Sequence, residues 1–169
     1  FDPRLIIDTR TVAEAIKLSK KACVFTHTAP AALCRHVRNK TDSLLKAIAE
    51  KGGVAGIAAY SPFNDHKKDR KPKLEQFLDS IEYSLALIGE NSVGIGLDLT
   101  PGWPKSAYNK AAKMYPEIYR GYPFEKAIIS ELRNQEKDLS AIVSGLLERG
   151  HSEQTIKKVI GGNFRRILK

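Results

Sequence analysis

A chain of 169 residues, 42% hydrophobic and 28% charged, is long enough to bury one real core and has the composition of a globular domain, which excludes a disordered or collagen-like chain. No run approaches the ~20 apolar residues needed to cross a bilayer, and the opening FDPRLIID lacks a signal-peptide layout; no Met precedes it, so a targeting sequence could lie upstream and the compartment stays unassigned. Part of the net charge of +9 is concentrated in HKKDRKPK, residues 66–73, but that run has no interleaved aromatics and reads as a solvated loop, so nucleic acid is not expected as a partner.

In chain order, Leu5, Ile6, Ile7 and Asp8 form a short buried-strand pattern, and Thr11 with Glu14 predicts a capping box for a helix running to about Lys20. The next strand is predicted over Cys23, Val24, Phe25 and Thr26, with His27 where it stops, before Pro30 opens a short helix that carries Cys34. In parallel α/β folds the carboxyl ends of strands carry the active site, so a histidine there suits a ligand or a base; a structural hydrogen-bonder fits the same position. Arg38, just beyond the turn, is placed to face the same crevice, where a guanidinium suits bidentate capture of a carboxylate, a surface ion pair being the alternative. Cys23 and Cys34 lack the spacing of a disulfide scaffold or zinc knuckle and read as reduced, buried thiols.

Residues 39–42 cap the next helix, whose Leu44, Leu45, Ile48 and Ala49 share a face, and Gly52 and Gly53 stop it before a strand over 54–59 that is apolar on both faces. Tyr60 begins a polar loop. A helix over about 73–88 sets Phe77, Ile81, Leu85 and Ile88 at helical spacing, Gly89 ends it, and a strand over 93–97 delivers Asp98 to the same sheet end as His27, unless Asp98 merely caps a turn. Residues 99–138, rich in Pro, Gly and Tyr, read as a long connection with one short helix near 107–114 and as an active-site cover, although the aromatics could equally be local core. Helices over about 139–149 and 153–160 follow, with Asn163 capping a last turn through Leu168. His36 and His66 read as solvated and His151 as preceding a helix cap at Ser152, so none of the three is a ligand candidate.

Three motifs in order carry a resemblance. THTAPAALCRHVRN, residues 26–39, resembles the S-H-S…C…R-N segment of the membrane dipeptidase (renal dipeptidase) family of zinc peptidases, within the amidohydrolase superfamily. VGIGLD, residues 93–98, resembles that family's last barrel strand with its aspartate, and LLERGHSEQTIKKVIGGNFRRIL, residues 146–168, its carboxyl-terminal helices with the G-G-N-F motif. The resemblance implies a (β/α)8 barrel of the TIM type, of which residues 1–98 are the last four βα units, 99–138 the cover and 139–169 the closing helices. It implies two zinc ions held by an H-x-D pair, a bridging glutamate and two later histidines, and hydrolysis of dipeptides or similar small amides. His27 matches the second of those histidines, Asp98 the aspartate that handles protons, Arg38 the arginine that binds the substrate carboxylate, and Tyr60 with Phe63 the substrate pocket. The chain departs from the pattern where no H-x-D occurs, where Ile6, near Asp8 and Arg10, stands at the other histidine's place, and where Thr100 replaces a second aspartate.

Four βα units are half of a barrel of about 250 residues, and the half alone, short of the roughly three protein ligands of a catalytic zinc, is expected to be inactive. It would leave the inner faces of 5–7, 24–25, 54–59 and 93–97 bare, so either a homodimer or pairing with a missing amino-terminal half is expected. A degenerate family member acting as a binding or interaction module is the alternative that the Ile6 position favours.

Overall fold

A computed structural model describes residues 9–99, 102–133 and 135–169; the strand expected over 5–7, and the positions of Ile6, Asp8 and Thr100, lie outside them. The described chain is built on three parallel strands, β1 (Val24–Thr28), β2 (Val54–Ile57) and β3 (Val93–Ile95), hydrogen-bonded in that order. Helices separate them: α1 (Thr9–Leu18) precedes β1, α2 (Asp42–Glu50) joins β1 to β2, and α3 (Ser61–Asn64) with α4 (Leu74–Ile88) joins β2 to β3. After β3 come α5 (Lys105–Met114), α6 (Pro116–Tyr119) and two 3-10 turns, then α7 (Gln135–Glu148), α8 (Glu153–Lys157), a π-turn over Lys158–Gly162 and α9 (Asn163–Ile167).

Strand alternation decides which face each residue takes. Ala55 meets Ile16 of α1 and Leu44, Leu45 and Ile48 of α2, while Ile57 and Val93 meet Phe77, Leu78 and Ile81 of α4 and Ile142 and Leu146 of α7. Each such fully buried side chain stabilises by about 1.5–3 kcal/mol, against under about 1 kcal/mol for an exposed pair such as Lys157 with Glu153, so this helix-on-sheet core fixes where the strands end.

The opposite face of β2 and β3 is not bare. Gly56 and Gly94 lie side by side there, and Phe164 of α9 packs on them so closely that a Cβ on Gly94 would sit 2.6 Å from its ring. Residues 54–59 are buried within this chain, whereas Val24 of β1 is 38% exposed and residues 95–97 are half-buried. The C-terminal helix covers what the strand count alone would leave open.

Several local expectations are corrected. Thr11 and Glu14 lie inside α1, which already runs at Thr9, so they are not its cap. The segment after Pro30 is a single turn, closed by Cys34 N–H donating to Pro30 O at 3.2 Å, and Cys23 lies just outside β1, half-buried beside a fully buried Cys34. Tyr60 opens α3, all four residues of which are buried, not a polar loop. Asn163 does not cap a turn: its side-chain amide donates to the carbonyls of Glu90 and Val93, both at 2.7 Å, pinning α9 to the start of β3. Ser152 does cap α8, accepting from Thr155 N–H at 3.1 Å.

Candidate active site

The pairing of β1 with β2 aims His27. Val24 and Phe25 oppose Val54 and Ala55, but Thr28 opposes Ile57, so β1 carries one extra residue between Phe25 and Thr28. Without it His27 would share the helix-covered face of Ile57; with it Thr28 takes that face, fully buried, and His27 turns to the other side. Thr28 Oγ1 then donates to the carbonyl of Arg38 at 3.1 Å, which ties the loop after β1 back to the strand.

Arg38 is positioned by its backbone as well as by its side chain. Its N–H donates to His36 Nδ1 at 3.1 Å, and the next residue, Asn39, donates through Nδ2 to the carbonyls of Cys34 and Phe63 at 2.7 and 3.0 Å. The guanidinium Nη2 stands 3.0 Å from His27 Nε2, and His27 Nδ1 stands 2.9 Å from Thr26 Oγ1. A guanidinium only donates, so Nε2 is the accepting nitrogen and Nδ1 carries the proton to Thr26.

Asp98 follows β3 in the left-handed region, φ +59°, a conformation costly for most side chains but tolerated by aspartate, as found at sites where geometry is imposed by function. The protein crowded around one side of Asp98 raises its carboxyl above the usual range, and the charges of His27 and Arg38 act against that. Tyr60 precedes α3, Phe63 lies within it, and the two rings pack edge to face at 4.9 Å. Tyr60 Oη is buried, and among the described residues no group meets it with hydrogen-bonding geometry; the neighbouring Tyr108 hydroxyl instead donates to Tyr122 O at 2.9 Å. Burial, first of all, pushes the Tyr60 phenol far up, so it stays a proton donor.

His27, Arg38, Tyr60, Phe63 and Asp98 thus line one cavity of about 520 Å³. Its other wall comes from the segment after β3, through Trp103, Tyr108, Ile118, Tyr119 and Phe124, none of which stands out individually in the sequence beyond the aromatic richness of 99–138. Two helices and two 3-10 turns, instead of one short helix, shape that wall. His36, expected to be solvated, is 5% exposed and donates through Nε2 to Ile118 O at 2.9 Å, fastening the wall to the loop that carries Arg38. Desolvation, then the charges of Arg120 and Arg38, lower His36 to about 4, against the favourable bond to Ile118. The guanidinium of Arg120 reaches the carbonyl of Arg35 as a second fastening. His66 is also not free in solvent: it is half-buried against Ser80 Oγ at 3.2 Å, and burial lowers its pKa.

Metal-binding capacity is limited. Among the described residues no group of three His, Cys, Asp or Glu side chains could hold an ion, and the accepting nitrogen of His27 is engaged by Arg38, so these residues do not by themselves make a metal site.

The profile of the membrane dipeptidase family (peptidase family M19) matches residues 7–126. Dipeptidase ataJ of Aspergillus terreus is 26% identical over 94% of this chain and 33% of its own length, and dipeptidase aclJ of Aspergillus oryzae is 26% identical over 94% and 32%. The chain therefore spans about a third of the curated relatives it matches. An amidohydrolase from Pseudomonas aeruginosa superposes with a TM-score of 0.81 at 30% identity, over 95% of this chain and 49% of that one. A metallo peptidase from Rhodobacter sphaeroides, liganded with a phosphinate mimic of the dipeptide L-Ala-D-Ala, superposes at 0.72 with 20% identity over 95% and 39%, a likeness of fold alone.

Proposed function

The chain belongs to the membrane dipeptidase family, peptidase family M19, and on that premise we propose that it serves the hydrolysis of dipeptides or similar small amides. The observation that supports this best is convergence: five side chains spread from position 27 to position 98 line one cavity with an arginine, a histidine and an aspartate at one end. Arg38 holds the substrate's terminal carboxylate through paired N–H donors. Asp98 takes and returns protons at the scissile amide, work that suits a carboxylate whose ionised form is already disfavoured by its surroundings. Tyr60 and Phe63, packed edge to face, line the substrate pocket with their rings.

The family is one of metallopeptidases, and zinc is the metal we assign, with His27 as the one ligand contributed by the described residues once its Nε2 is released from Arg38. The remaining ligands come from other segments, and the chain by itself binds zinc weakly and without fixed stoichiometry. In this reading residues 1–98 are the last four βα units of a TIM-type barrel, 99–138 its cover and 139–169 its closing helices. The barrel is completed either by an amino-terminal half or by a second copy. Incubating the zinc-supplied protein with dipeptides and measuring released amino acids tests the activity. Release that stops on chelation and returns with zinc supports it; no release from any dipeptide by the fully assembled, zinc-loaded protein overturns it.

A further inference from the structure

One wall of the cavity has a chemistry that neither the carboxylate clamp nor the proton-handling aspartate uses. Tyr108, 1% exposed, is the hub of an aromatic cluster: Trp103, Tyr119 and Phe124 pack on it edge to face with centroids at 5.9, 4.9 and 5.5 Å. These three outer rings are only half-buried, and all of them line the cavity, so part of their remaining apolar surface looks into it. Burying such surface against another apolar group is favourable, and ring against ring adds geometric preference. The wall is also held in place, since His36 bonds Ile118, Arg120 bonds the carbonyl of Arg35, and Ala127 O accepts from Ser61 N–H at 2.8 Å.

We propose that this aromatic wall receives the side chain of the substrate's carboxyl-terminal residue and selects a large apolar or aromatic one. The inference rests on the dipeptide reading above. Orientation follows from Arg38. A carboxylate held there lies beside His27, the amide to be cleaved lies toward Asp98, and the carbon between them has its side chain left to direct elsewhere. The Tyr119 phenol stands where both charged groups reach it: after burial, Asp98 raises its pKa most, and Arg38 lowers it. Tyr119 lines the same cavity as Arg38 and Asp98 and packs edge to face on Tyr60 at 6.3 Å, so in this proposal a side chain running along the wall meets Tyr119, with Trp103 and Phe124 beside it. A methyl group would leave those rings wet; a benzyl group would cover them. The formal charges that also line the cavity are Glu125, engaged by Lys105, and Arg133, whose guanidinium reaches the carbonyl of Ile128 at 3.5 Å; the three rings themselves carry none.

Trp103 is the single tryptophan of the chain, so its emission reports filling of the wall without any turnover. The experiment titrates Gly-Phe, Gly-Ala and Phe-Gly into the assembled, zinc-loaded protein carrying Asp98→Asn, which prevents hydrolysis during the titration. Gly-Phe is expected to bind about tenfold more tightly than Gly-Ala and to shift Trp103 emission, with Phe-Gly no tighter than Gly-Ala. Tyr119→Ala should remove that preference, and Phe124→Leu, a milder change, should reduce it. Equal binding of Gly-Phe and Gly-Ala overturns the pocket while leaving the dipeptide reading standing, and tighter binding of Phe-Gly assigns the wall to the amino-terminal residue and overturns it too. Binding of none of the three overturns both.

Discussion

Arg38 and His27 share a hydrogen bond of 3.0 Å, and because only the arginine can donate, it fixes the imidazole with Nε2 as acceptor and Nδ1–H toward Thr26. His36, nine residues on, is held in the opposite tautomer, donating through Nε2 to Ile118 O and accepting at Nδ1 from the Arg38 amide. One arginine thus orients two histidines with different duties. His27 spends its one lone pair on Arg38 at the edge of the cavity, and His36 spends both nitrogens on structure.

Asp98→Asn keeps the shape of the side chain and its left-handed backbone, which asparagine also tolerates, but removes its proton affinity. On general acid–base grounds kcat for a dipeptide should fall by about 10²–10⁴-fold with KM little changed. Steady-state kinetics decides this, and a variant with a raised KM and undiminished kcat would show that Asp98 only binds.

Tyr60→Phe removes a buried hydroxyl that no group among the described residues meets with hydrogen-bonding geometry. Folding stability should stay level or rise by up to about 1 kcal/mol, with KM for dipeptides little changed because the ring that lines the cavity is kept. Urea unfolding beside kinetics measures both. A stability loss well above 1 kcal/mol would mean that the hydroxyl is satisfied within the folded protein.

His36 makes stability depend on pH. Its folded pKa of about 4 lies below the ordinary 6.5, so between those values the unfolded chain binds the extra proton; the stabilisation is complete above pH 6.5 and is lost as pH falls toward 4. The span corresponds to about 3 kcal/mol. Urea midpoints at pH 7.5 and 4.5 should differ less for His36→Gln, which keeps a donor for Ile118 O without titrating. The same pH dependence in both proteins would remove His36 as its source.

Gly94→Ala tests the contact that closes the inner face of the sheet. The added Cβ meets the Phe164 ring at 2.6 Å and Val54 at 3.0 Å, and overpacking of this kind costs about 1–3 kcal/mol. Phe164→Leu in the same chain should recover part of the loss, a coupling that thermal unfolding of the single and double variants measures. Purely additive losses would mean that Phe164 does not sit on Gly94.

What was legible in the sequence was what depends on neighbours along the chain. Strand followed by His27, turn followed by Arg38, and strand followed by Asp98 are local patterns, and parallel topology alone carries all three to one end of the sheet. The burial of His36 was not legible, because the carbonyl that satisfies it belongs to Ile118, 82 residues away. The extra residue in β1 exists only relative to β2, so no pattern within residues 23–28 announces it. Phe164 over Gly56 and Gly94 is likewise a contact between distant segments, and it explains why the strand count alone overstated the bare surface. The aromatic richness of 99–138 left a cover and local core equally open; which of its rings line the cavity depends on their packing around Tyr108.

The most direct test of the account compares kcat/KM for a dipeptide and for its carboxyl-terminal amide in the assembled, zinc-loaded protein, with Arg38 and with Arg38→Lys. A lysine keeps the charge but loses the paired donors, so the dipeptide should lose about 10–100-fold and its amide less than about threefold. Equal losses for the two substrates, or an amide cleaved as well as the dipeptide by the unaltered protein, would contradict the assignment of Arg38 as the carboxylate clamp.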